Sequence, residues 1–207
     1  WYLDTRAGKV YYWPLPGEDL GKLSVVIPSK MNVLRISGTQ QAPAKHIAIE
    51  GLSFRATTVP LVKEGWIAMS YDGAVRVEQT EDVTLKGLKI SNVAGNGIRA
   101  TSGWNTGNTR LRILGCEVTQ TGGGGIYVDG RQSEVAFNRV ADVGRMFPSG
   151  VGINFGGVET AFRSNTLANT TYSAMCGGGQ KLLVEGNTIT NYMTVLGDGA
   201  AIYMGAS

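Results

Sequence analysis

Two carboxylates, Glu78 and Asp129, end two similar segments, Val75-Arg-Val-Glu78 and Ile126-Tyr-Val-Asp129. A pair of carboxyl groups can hydrolyse a glycosidic bond, because one group acts as acid and the other as base or nucleophile. The two groups lie about 5–5.5 Å apart in retaining enzymes and about 6.5–9.5 Å apart in inverting ones. The chemistry open to Glu78 and Asp129 therefore depends on how the fold spaces them.

The position two residues before each of these carboxylates recurs in similar segments along the chain. Mostly polar side chains occupy it and form a row. Its members are Arg35, Arg76, Arg99, Tyr127, Asn154, Met175 and Tyr203. We interpret the arginines in one of two ways. Either they form a basic stripe for uronate or sulfate groups, or they are exposed side chains that pair with Glu78 or Glu50.

Aromatic side chains offer a second way to hold a sugar. Tyr127 and Tyr203 can stack on sugar rings, because a tyrosine has an apolar face and a polar tip. Trp66 and Trp104 stand in long segments between the repeats. They either stack on sugar or pack their own turns onto the rest of the fold.

Two series of short segments repeat along the chain and predict the elements that carry these residues. Members of the first series begin 22–36 residues apart, at Gly51, Gly87, Gly115, Phe137, Ser164 and Gly186. A second series falls between them and includes the segments that end at Glu78 and Asp129. Apolar residues alternate within each segment, which is typical of strands with one buried face. The pattern predicts an all-β parallel β-helix of about six to seven coils, stacked about 4.8 Å apart. Glu78 and Asp129, two coils apart, would then lie about 9.6 Å apart.

One column of the first series predicts how the coils turn a corner. It contains Leu52, Leu88, Cys116, Asn138, Asn165 and Asn187. Asparagines stacked at a bend can bond to one another and to backbone groups, so we expect an internal asparagine ladder. Cys116 and Cys176 fall on different strands of different coils, so we expect two core thiols and no disulfide.

The first 42 residues differ from the rest. Trp1–Asp4 and Lys9–Trp13 flank a turn and predict a β-hairpin, and residues 20–42 would lead into the coils at 43–207. The chain stops directly after a strand, so we expect a continuing chain or a partner at that open edge.

Composition excludes several functions. The net charge of +3 is too small to indicate nucleic-acid binding. No apolar run reaches the roughly 20 residues of a membrane span. The single histidine, His46, and the lack of clustered carboxylates argue against a metal site, and no motif indicates a cofactor.

The opening Trp1-Tyr-Leu-Asp4, the Gly8-Lys-Val-Tyr-Tyr-Trp-Pro14 that follows and the late Asp198-Gly-Ala-Ala-Ile-Tyr203 resemble motifs of bacterial secreted right-handed parallel β-helix repeat proteins. In that group a strand like Ser24–Pro28 precedes the coils. The group includes β-xylosidase-like and fucosidase/xylanase-like glycoside hydrolases. The resemblance implies a secreted or periplasmic protein that acts on a polysaccharide, and it implies Asp198 as a catalytic acid. Fold alone does not decide function, so a lyase with Arg99 or Lys181 as base, or a non-catalytic glycan-binding or structural β-helix, remains open.

Overall fold

A computed structural model of the chain describes residues 2–61, 68–101 and 107–205. Trp66 and Trp104 lie outside the described residues. The chain begins with an antiparallel hairpin in which Tyr2–Asp4 pairs with Lys9–Tyr11. Asp4 closes the turn, because its Oδ1 accepts hydrogen bonds from the backbone N–H groups of Arg6 and Ala7. The predicted hairpin is therefore confirmed.

Each of the six coils contributes to all three parallel sheets, and the third coil contributes two short strands to sheet 2. Sheet 1 contains Leu34–Ser37, Gly73–Glu78, Asn96–Ala100, Ile126–Val128, Ile153–Phe155, Met175–Gly177 and Ile202–Met204. Sheet 2 contains Ala44–Glu50, Thr80–Lys86, Asn108–Thr109, Arg112–Leu114, Glu134–Ala136, Ala161–Arg163 and Leu183–Glu185. Sheet 3 contains Ser53–Arg55, Lys89–Val93, Glu117–Thr121, Arg139–Val143, Thr166–Thr170 and Thr188–Thr190. Within the described ranges, helix is limited to the 3-10 turns Leu20–Lys22 and Ala68–Ser70.

The chain runs from sheet 1 to sheet 2 to sheet 3 in each coil, and each strand pairs in parallel with its equivalent in the next coil. Alternate residues of all three sheets point inward, and they form one continuous apolar core. Val75, Ile98, Ile126 and Ile153 fill the sheet 1 side of that core and are inaccessible to solvent. The result is a parallel β-helix of six coils and the first strand of a seventh, as the two repeated series predict.

The corner between sheets 2 and 3 contains the predicted asparagine ladder. The Oδ1 atom of Asn165 accepts from the backbone N–H of Asn138 at 3.0 Å, and that of Asn187 accepts from the N–H of Asn165 at 2.9 Å. Each asparagine also donates from Nδ2 to a carbonyl of the core. The ladder ends at Cys116, whose N–H bonds to Asn138 at 2.8 Å. Polar backbone groups are thus satisfied inside an apolar interior.

The residue just before the ladder column adopts a positive φ in every coil, from 50° to 68°. Glycine occupies this position at Gly51, Gly87, Gly115 and Gly186, where it tolerates the left-handed backbone. Phe137 and Ser164 adopt the same conformation at a steric cost.

The predicted register of the strand Met175–Gly177 is wrong by one residue. Met175 pairs with Ile153, so it points inward and is inaccessible to solvent, and Cys176 takes the outward place next to Asn154. Because strand side chains alternate, an alignment error of one residue exchanges the inner and outer faces. Both cysteines are buried and free, as predicted.

The lead-in segment also differs from its prediction. Residues 24–28 form no strand, and Val25, Val26 and Ile27 are each about two-thirds exposed. Leu34–Ser37 pairs in parallel with Gly73–Glu78. It is the first strand of the first coil and carries Arg35 of the predicted row.

Candidate functional site

The outward side of sheet 1, which we call the sheet 1 face, carries most of the predicted site residues in two adjacent columns. The first column, in register, is Arg35, Arg76, Arg99, Tyr127, Asn154, Cys176 and Tyr203. The second column lies two residues further along each strand and contains Ser37, Glu78, Thr101, Asp129, Gly156, Gly178 and Gly205. The fold therefore brings together side chains that are up to 170 residues apart in the sequence.

Glu78 lies between two arginines of the first column. Its Oε2 accepts from Nε and an Nη of Arg76 at 3.0 and 2.8 Å, and its Oε1 bonds to Arg35 and to Ser37. Burial raises the pKa of the Glu78 carboxyl, but the hydrogen bonds from Arg76 and Arg35 outweigh it and hold the pKa below its ordinary value. Glu78 is therefore ionised at neutral pH and is not a proton donor.

Arg76 is largely buried and is held on two sides. Besides Glu78, its guanidinium contacts the carboxylate of Asp72 at 3.4 Å. Asp72 also accepts a hydrogen bond from the N–H of Gly73 at the start of the strand. Of the two interpretations of the arginines, pairing with an acid holds for Arg35 and Arg76, which both contact Glu78. Glu50 contacts Lys86 in sheet 2 and, among the described residues, no arginine of this column.

Arg99 is fixed by a different set of contacts. One Nη donates to the carbonyl of Tyr71 at 3.2 Å, and the guanidinium carbon lies 5.2 Å from the centre of the Tyr127 ring. A guanidinium over an aromatic ring is attracted by the charge distribution of the ring. Arg99 and Tyr127 therefore form a pre-organised pair at the middle of the sheet 1 face.

Asp129 stands beside this pair in the second column, and only 2% of its surface is exposed. Burial is the main cause that raises the pKa of Tyr127, and the negative charge of Asp129 adds to it. The nearest residue on the next coil is Gly156, where an added Cβ would lie 3.3 Å from the Asp129 carboxyl carbon. A larger side chain at 156 would crowd this carboxyl group.

In the described coils that follow Asp129, the two columns of the face contain no charged side chain. Asn154 and Cys176 are buried, and Cys176 packs with Val151 and Tyr172. Tyr203 is 46% exposed and ends the first column. Along the first column, this half of the face therefore contains a buried amide and a buried thiol, followed by an exposed phenol.

Asp198 lies at the opposite edge of the face from Asp129. It is exposed in the turn before Ile202–Met204, and its backbone carbonyl lies 3.5 Å from the hydroxyl of Tyr172. Asp129 follows a strand that lies three positions earlier in sheet 1, and the two strands are about 14 Å apart along the stack. The structure does not bring Asp198 and Asp129 together as a catalytic pair.

Turns border the sheet 1 face at the edge where its strands begin. Segments 68–72, 144–151 and 191–200 lead into sheet 1 strands there. Much of the long segment 101–109, after the third strand of sheet 1, lies outside the described residues. Tyr71 and Phe147 stack across two of these turns, with ring centres 4.0 Å apart. Their contact, which sequence reasoning missed, joins segments that are remote in the chain. The only sequence signal for it is an aromatic residue in each of two turns on the same edge.

Other predicted residues lie away from this face. Lys181 pairs with Glu159 at 2.9 Å beside sheet 2. Among the described residues, no group of three histidine, cysteine, aspartate or glutamate side chains could hold a metal ion. The described part of the chain also has no helix long and apolar enough to cross a bilayer.

Comparison with known proteins agrees with this architecture. The family model described as "Right handed beta helix region" matches residues 73–206, which are 134 of the 207 residues. Searches of curated proteins and of solved structures found no match. The matched region begins at the second strand of sheet 1 and includes every coil that follows. The chain therefore belongs to the right-handed parallel β-helix family.

Proposed function

We propose that the sheet 1 face binds a polysaccharide or oligosaccharide. The observation that carries this proposal is the pre-organised Arg99–Tyr127 pair in the same column as the exposed Tyr203. Groups already held in their binding orientation lose little conformational entropy when a ligand arrives. The described turns 144–151 and 191–200 border the edge where the sheet 1 strands begin and would help to orient an extended ligand along the helix axis. An extracellular polysaccharide as ligand would require a secreted or periplasmic protein, which is part of the same proposal.

Binding of the purified protein to a panel of plant, algal and microbial polysaccharides, followed by calorimetry with the best hexasaccharide, tests the proposal. We expect Tyr203→Ala and Arg99→Ala each to weaken binding by about tenfold or more, as removal of a central contact does. Tyr11→Ala, in the hairpin, is the matched control because Tyr11 is also about half exposed but lies outside sheet 1. Unchanged affinity in both sheet 1 variants, with an unchanged fold, would refute the proposal.

Glycoside hydrolysis is a second candidate, supported by the places of Glu78 and Asp129 in one column. They are two strands apart, about 9.6 Å along the stack, at the upper end of the inverting range. In this arrangement Glu78, which is ionised, would act as base towards a water molecule, and Asp129 would be the acid. The arginines that engage both Glu78 oxygens would have to release one of them during the reaction.

Release of reducing sugar from the same panel tests the hydrolase. We expect Asp129→Asn to abolish any activity and Asp198→Asn to leave it unchanged. The reverse result would assign the acid to Asp198, as the family resemblance implies, and would contradict the Glu78–Asp129 pair. An unsaturated product, detected by its ultraviolet absorbance, would instead identify a lyase.

A further inference from the structure

Among the described residues, the two columns of the sheet 1 face contain three arginines and two acids, Arg35, Arg76, Arg99, Glu78 and Asp129. A third acid, Asp72, contacts Arg76 from the turn before the second strand, so acidic side chains offset most of the positive charge at this end of the face. A site that selects a polyanion needs an excess of positive potential. The overall charge of +3 therefore does not describe the potential at this face.

The arginines nearest the start of the face are already occupied by protein carboxylates. Arg76 uses Nε and both Nη groups on Glu78 and Asp72. Arg35 bonds to the other oxygen of Glu78. A uronate group approaching Arg76 would meet these two carboxylates at close range and would be repelled by them. Exchange of partners would leave Glu78 half-buried beside a second anion, which is unfavourable.

In the described residues after Asp129, neither column of the face has a charged side chain. The first column contains the buried amide of Asn154 and the buried thiol of Cys176 between the partly exposed Tyr127 and the exposed Tyr203. The second column consists of glycines, which are buried except at Gly205. The two tyrosines can hydrogen-bond to sugar hydroxyls or stack on a ring, but no described side chain in this half can neutralise a carboxylate or a sulfate.

We infer that the glycan bound by the sheet 1 face is uncharged, and that Glu78 excludes acidic glycans by neutralising Arg35 and Arg76. This inference rests on the proposed function of the face. The sequence allows the arginines to be interpreted as a basic stripe for uronate or sulfate groups. This inference rejects that interpretation in favour of a neutral, polar surface.

Calorimetric titration with neutral hexasaccharides and with uronate hexasaccharides, at low and at moderate NaCl concentration, tests the inference. We expect the wild-type protein to bind a neutral hexasaccharide with an affinity that does not change with salt, because binding without net ion pairing is not screened. We expect at least about tenfold weaker binding of the uronate.

Glu78→Gln provides a gain-of-function test. Loss of one negative charge should raise the affinity for the uronate at least about fivefold at low salt, and added NaCl should reverse the gain. Glu185→Gln is the matched control, because Glu185 also pairs with an arginine, Arg163, but on sheet 2. Thermal unfolding followed by circular dichroism shows whether each variant is folded. The salt dependence of the wild-type protein tests the inference even if Glu78→Gln does not fold.

The outcomes separate the inference from the proposed function. Tighter wild-type binding of the uronate would overturn the neutral substrate and leave glycan binding in place. A folded Glu78→Gln protein that gains no uronate affinity would overturn the role of Glu78. Wild-type protein that binds no glycan would overturn both.

Discussion

Replacement of Asn165 by alanine should destabilise the solenoid more than any surface change. Asn165 is buried and its side chain makes four hydrogen bonds. It donates to Val135 O and Asn187 Oδ1, both at 2.9 Å, and accepts from the backbone and the amide of Asn138, both at 3.0 Å. Alanine leaves the Asn138 N–H without its acceptor in a dry interior and removes a donor from Val135 O.

The magnitude follows from the groups left without a partner. A buried polar group that loses its partner costs about 1–3 kcal/mol. Four groups lose a bond, but Asn187 Oδ1 still accepts from the backbone N–H of residue 165, so the main cost comes from two backbone groups and one amide N–H. We therefore expect a loss of about 3–5 kcal/mol in the free energy of unfolding. Asn187→Ala should cost about 1 kcal/mol, because this position is half-buried and water can take over some of its bonds.

Urea unfolding followed by circular dichroism measures these differences. Thr166→Ala is the control: Thr166 is adjacent to Asn165 but exposed, so its loss should lie within about 0.5 kcal/mol of zero. The reasoning is refuted if Asn165→Ala costs no more than Thr166→Ala, or if Asn187→Ala costs more than Asn165→Ala.

Three further predictions, which use four substitutions, test the fold and the site. Phe137→Gly should raise the free energy of unfolding by up to about 1 kcal/mol in urea, because Phe137 is exposed and has a φ of 60°; a loss would contradict the strain. Met175→Ala should cost about 2–5 kcal/mol and Cys176→Ala clearly less, since only Met175 points into the core; the reverse order would restore the predicted register. The lowered pKa of Glu78 means that its contribution to stability is present above its ordinary pKa of about 4.5 and is lost as pH falls through the folded-state value. Glu78→Gln should therefore lower stability at neutral pH and flatten its acid dependence, measured by urea unfolding from neutral to acidic pH; an unchanged slope would show that Glu78 is not ion-paired in solution.

The sequence was sufficient for the architecture because a solenoid repeats one local pattern. Alternation within each short segment indicates a strand, and the alignment of segments indicates which strands stack. The asparagine column could be predicted for the same reason, since Asn138, Asn165 and Asn187 share one place in the repeat. The alignment failed at Met175 because Ala174, Met175 and Cys176 are all apolar, so alternation does not show which of them points inward.

The contacts of the site were less predictable than its columns. The strand register places Glu78 next to Arg35 and Arg76. Whether the two guanidinium groups point towards a ligand in solvent or towards Glu78 depends on side-chain conformation. The carbonyl of Tyr71 that holds Arg99 belongs to a long turn with no repeat to align. Turn conformation depends on tertiary contacts such as the Tyr71–Phe147 stack, which no local pattern indicates.

Glycan binding at the sheet 1 face is tested most directly by amide chemical shifts of the isotope-labelled protein, recorded during titration with the best-binding neutral hexasaccharide. We expect the largest changes at Arg99, Tyr127, Asn154 and Tyr203, with sheets 2 and 3 unchanged. Changes confined to sheet 2 or sheet 3, with none along this column, would contradict the account.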